Sequence, residues 1–85
     1  MQFQAAVIKS QGVTFALVVV EKHVIERTWD ADEFIASVQG AFPDMPVVLM
    51  TQDAKGNPAF YGRKDIINFM ESVNLESIVF KIYTI

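Results

Sequence analysis

VTFALVVV, residues 13–20, is the stretch on which the fold turns. It is the longest apolar run in the chain and falls well short of the roughly 18 residues that span a bilayer. Most of its residues are β-branched and both of its sides are apolar, so it reads as a buried strand suited to the centre of a sheet. Just upstream, QFQAAVIK (residues 2–9) alternates, with Phe3, Ala5 and Val7 on one side and Gln2, Gln4, Ala6 and Ile8 on the other. Ser10, Gln11 and Gly12 supply turn chemistry between the two segments, which predicts an N-terminal hairpin. Downstream, Glu21, Lys22 and His23 interrupt the run, and VIERT (residues 24–28) reads as a short third strand.

A helix is then predicted from Asp30. That residue is a good N-cap, Glu33 completes a capping box, and Trp29 with Phe34 forms a hydrophobic staple. Ala31, Phe34, Ile35, Val38, Ala41 and Phe42 share one face at helical spacing, Gly40 weakens the last turn and Pro43 ends it. PVVLMTQ (residues 46–52) is a second strand apolar on both sides. DAKG (residues 53–56) has the pattern of a type I turn followed by a residue able to take positive φ. Pro58 has no N–H to donate, so residues 59–61 suit an edge strand.

Residues 63–73 predict a second helix, with Ile66, Ile67, Phe69, Met70 and Val73 on its apolar face and Asn74 at C′. SIVFKIYTI (residues 77–85) alternates as a closing strand, Ile78, Phe80 and Ile82 against Val79, Lys81, Tyr83 and Ile85. The 85 residues therefore form one α+β domain in the order β-β-(β)-α-β-β-α-β. The expected architecture is a two-layer sandwich: a mixed sheet with both helices on one face, a ferredoxin-like split-βαβ core behind an N-terminal hairpin. That core puts residues 46–52 at an edge and 59–61 inside, whereas Pro58 and PVVLM favour the reverse.

The segment from residue 46 to 70 (a proline opening a strand, a hairpin, a short strand ending in Gly62, then a helix) resembles the C-terminal hairpin and helix of the thioredoxin and glutaredoxin family. The resemblance implies shared local architecture. Cysteine is absent from the chain, so it implies no redox chemistry.

Composition narrows function further. The lack of cysteine removes disulfides, thiol catalysis, thiolate metal sites and iron–sulfur clusters. A net charge of −3 argues against general nucleic-acid binding, which needs clustered Lys and Arg. The opening MQFQAAVIKS lacks the charge and apolar core of a signal peptide, which gives a cytoplasmic expectation. Asp30, Asp32 and Glu33 sit where helix caps favour acids, and Glu21, His23 and Glu26 read as a solvated turn, so no metal site or cofactor is expected. A metal-dependent nuclease needs carboxylates converging from strand ends, and the first two strands contain none. No phosphate loop, dinucleotide fingerprint or nucleophile motif is present, and the reading is of a protein that is not an enzyme.

Two surfaces stand out. Two helices on one side of the sheet leave the other bare, and Ile8, Val18, Val20, Val79, Tyr83 and Ile85 are the expected apolar interface there. The primary expectation is thus a homodimeric interaction or regulatory module. The second surface begins with an oddity: Arg63 and Lys64 open a helix, where positive charge is disfavoured. With Lys55, Asn57 and Tyr61 they would make a corner fit for an anion or an acidic partner. The alternative expectation is therefore a small-molecule or anion-binding domain with its site at residues 55–64.

Overall fold

A computed structural model describes residues 1–10 and 12–85. The alternating N-terminal segment is β1 (Gln2–Ser10), paired antiparallel with β2 (Val13–Val19); Gln11, in the segment read as a turn, lies outside the described residues. Two helices follow, α1 (Lys22–Glu26) and α2 (Thr28–Val38), then a 3-10 turn (Gln39–Ala41). They lead to β3 (Val47–Gln52), which lies parallel to β2. β4 (Pro58–Tyr61) turns back antiparallel to β3, and α3 (Lys64–Met70) and a second 3-10 turn (Leu75–Ser77) follow. β5 (Lys81–Thr84) closes the sheet antiparallel to β1.

The strand order is β4-β3-β2-β1-β5, which puts β2 at the centre, where its two apolar sides suit it. β3 is interior and β4 is an edge, as Pro58 and PVVLM favoured. The split-βαβ core is not formed: β2 and β3 are direct neighbours, and β5 joins the far side of β1.

The α+β class, the mixed sheet and the two principal helices are as read, but the helices do not share a face. Strand side chains alternate between faces, and register carries that parity across the sheet. Ala5 lies opposite Val18, and Val18 lies beside Leu49. On this side Phe3, Ala5, Ala16, Val18, Val20, Val47 and Leu49 pack with Ala31 and Val38 of α2 and with Phe42. On the reverse side Phe15, Leu17, Val48 and Met50 pack with Ile66 and Met70 of α3.

The connection from β4 to β5 explains the arrangement. It starts at one edge of the sheet and must reach the other, so it crosses a whole face, and α2 already occupies the first one. Val73, Leu75, Ile78 and Phe80, which follow α3, extend the same cover. Burial of each large apolar side chain contributes about 1.5–3 kcal/mol, so leaving that face open would forfeit several such terms.

Local differences have similar causes. Residues 24–28 do not form a strand: both neighbours of β2 are taken, and Val24 and Ile25 instead pack from α1 onto the α2-side core. α2 begins at Thr28 with Arg27 in the N-cap position, so Asp30 lies in the first turn and the capping box is not formed. Trp29 is 77% exposed, which excludes the staple. α3 ends at Met70, and Asn74 caps the following 3-10 turn, its Oδ1 accepting from the Glu76 N–H at 3.0 Å. Only residues 81–84 of the predicted closing strand enter the sheet.

Gly62 joins β4 to α3 at φ +151°, and a Cβ built there would lie 3.0 Å from Val48 Cγ2 and 3.2 Å from Val48 Cα. Gly62→Ala should therefore cost about 1–3 kcal/mol in urea unfolding. Gly40→Ala, where nothing lies within 4 Å, should be neutral or stabilising by up to about 1 kcal/mol.

Candidate functional sites

The turn between β3 and β4 is organised by one carboxylate. Asp53 Oδ1 accepts the backbone N–H of Lys55 at 2.8 Å and that of Asn57 at 2.9 Å. Asn57 Nδ2 donates to Oδ2 at 3.4 Å, and Gly56, at φ +84°, donates its N–H to the Asp53 carbonyl. The Asn57 N–H is the main cause holding the Asp53 carboxyl below its ordinary range, with the N–H of Lys55 adding to it. Short polar side chains commonly pin turns in this way.

The two cations opening α3 are met close at hand. Arg63 sits at the N-cap and donates from Nε to Asp65 Oδ1 at 3.1 Å and from Nη2 to Oδ2 at 2.7 Å. This two-pronged bond raises the Arg63 pKa and lowers that of Asp65. Lys64 is exposed. Tyr61 turns the other way: its hydroxyl donates to Asp32 Oδ1 at 2.6 Å, tying β4 to α2 and raising the phenol pKa. The five residues of the expected anion corner are thus not gathered at one point. Tyr61 packs on the α2 side, Arg63 pairs with Asp65, Asn57 serves the turn, and Lys55 borders a groove on the α3 side.

That groove, about 820 Å³ among the described residues, was missed by the sequence reading. One bank is the β3–β4 hairpin, with Lys55 and Phe60; the other is the end of α3 and the turn after it, with Ile67, Met70, Glu71 and Glu76. Its signal in the sequence was slight: an edge strand followed by a helix whose apolar positions run on past its end, to Val73 and Leu75.

The six apolar residues expected to share a bare face are dispersed. Register pairs Ile8 with Phe15, so Ile8 lies on the α3 side, whereas Val18, Val20 and Tyr83 belong to the α2 side. Val18 and Val20 are buried within the chain, and Tyr83 stacks on Phe3 with ring centroids 5.7 Å apart. Val79 and Ile85 are exposed, and Ile82, which was not among the six, is 68% exposed.

The outer edge of β5 carries unpaired backbone groups. Ile85 donates its N–H to the Met1 carbonyl at 3.0 Å, so by alternation Lys81 and Tyr83 also face β1, while Ile82 and Thr84 direct their N–H and C=O groups away from the sheet. Among the described residues no group of three or more His, Cys, Asp or Glu side chains is placed to hold a metal ion, and no helix is long and apolar enough to cross a membrane. No family model, curated protein or solved structure matches the chain.

Because folding depresses the Asp53 pKa, the stability it contributes is present above the ordinary carboxylate range and is lost as pH falls through the folded value. Asp53→Asn should lower the midpoint of urea unfolding at neutral pH. The gap between variant and parent should narrow as the pH is taken below that range.

Proposed function

We propose that the chain is a non-enzymatic interaction or regulatory module that works as a homodimer joined through the outer edge of β5. One observation carries this reading: an unpaired strand edge is flanked by exposed apolar side chains, Val79 at 79%, Ile82 at 68% and Ile85 at 49%. Sheet edges left open to water generally carry charge, proline or a bulge that discourages pairing, and here Lys81 is the one such device.

A second copy fits the spacing. A two-fold axis at Tyr83 would set Ile82 of one copy against Thr84 of the other, twice over, and the two outward-facing residues of each strand would meet as hydrogen-bonded pairs. Hydrogen bonds contribute about 1 kcal/mol each in net terms, too little alone to offset the entropy of association. Burial of Ile82 and its neighbours must supply the rest, which points to a dissociation constant on the order of micromolar.

The alternative, an anion or small-molecule site at residues 55–64, has weaker support. Arg63 is already matched by Asp65, and Tyr61 is engaged by Asp32.

Sedimentation equilibrium across the micromolar range should show a concentration-dependent dimer. Ile82→Lys should shift it to monomer with unchanged far-ultraviolet circular dichroism. A parent chain that stays monomeric at every concentration overturns the proposal.

A further inference from the structure

We propose that the opposite edge of the sheet, β4, captures an extended basic peptide as an added strand, lodged against the groove beside α3. Three independent features converge on this.

The first is backbone geometry. Asp53 donates its N–H to the Asn57 carbonyl at 3.0 Å, which marks a hydrogen-bonded pair. Counting by twos, Ala59 and Tyr61 face β3, and Phe60 presents both its N–H and its C=O outward, with the Pro58 carbonyl available on one side. An extended peptide needs such a free edge, and strand addition of this kind takes most of its affinity from the main chain.

The second feature is the cavity. Ala59 and Phe60 both border the groove although their side chains leave opposite faces of β4, so the cavity opens along the strand's edge as well as its face. At about 820 Å³ it lies within the usual range for ligand sites, and Phe60, Ile67 and Met70 give it an apolar floor.

The third feature is charge. Glu71 and Glu76 stand on the helical bank against Lys55 alone on the other, and neither glutamate joins an ion pair among the described residues. A strand lying along β4 projects every second side chain over the groove. The matching occupant carries an apolar residue for the floor and, two positions away, a Lys or Arg for the acidic bank. A second copy of this chain is a poor occupant, because β4 pairing with β4 would bring two such acidic banks together and two prolines without N–H groups.

The test uses the full chain carrying Ile82→Lys, so that self-association at β5 neither competes nor interferes. The probe is an acetylated, amidated threonine heptapeptide with valine and lysine two positions apart. Titration followed by amide shifts should move the Phe60 N–H downfield and slow its hydrogen exchange. Replacing the peptide's lysine by glutamate should weaken binding at least tenfold, and Glu71→Gln with Glu76→Gln should shrink that ratio to threefold or less. A proline at the centre of the peptide should abolish binding. The proposal is overturned if the lysine peptide does not bind at millimolar concentration or if both charges bind equally. It is also overturned if the shifts fall at Thr84 and its neighbours on β5 instead of at Phe60. None of these outcomes bears on dimer formation by the parent chain.

Discussion

The structure depends on a central strand that has no hydrophilic side. β2 presents Phe15 and Leu17 to one face and Ala16 and Val18 to the other, and all four are almost wholly buried. β3 beside it repeats the demand with Val48 and Met50 on one face, Val47 and Leu49 on the other. Two adjacent strands of this kind cannot tolerate water on either side, so the chain must supply two roofs. It supplies one with α2, in the crossover that a parallel pair requires, and the other with α3 and the segment after it. For a chain of this size that leaves little apolar surface to spare, and what remains outside is Met1, Val79, Ile82 and Ile85 around β5, Val7 on β1 and Trp29 on α2.

What could be read from the residues followed the range over which each cause acts. The Asp53 turn, the edge position forced by Pro58 and the centrality of β2 depend on a few neighbouring residues, and all were legible. Those that depend on competition between distant segments were not. VIERT has strand-like residues, but no strand position was free beside β2, and propensity yielded to packing. The cap at Asp30 lost to an N-cap at Arg27, three residues earlier, whose side chain makes no capping hydrogen bond.

The bare sheet face failed for a subtler reason. Grouping Ile8 with Val18 misplaces the hairpin register by one residue, and one residue is enough to exchange the two faces. The candidate sites divide in the same way. The bond between Arg63 and Asp65 spans two positions and answers the oddity of a cationic helix start, whereas the bond between Tyr61 and Asp32 joins residues 29 apart and left no local trace. Both proposed docking surfaces are strand edges rather than faces. That shift in location follows once each face has its own helix.

The pairing of β5 with β1 has a kinetic side. Phe3 meets Tyr83 only after nearly the whole chain has been looped back, whereas β1 and β2 join across a short turn. Loop closure of that span is entropically expensive and is repaid late, so the hairpin and the β2–β3 crossover can assemble while the margin of β1 still waits for its neighbour. During that interval the nascent sheet is open to capture by any other extended chain, and the speed with which the last strand docks becomes a safeguard against misassembly.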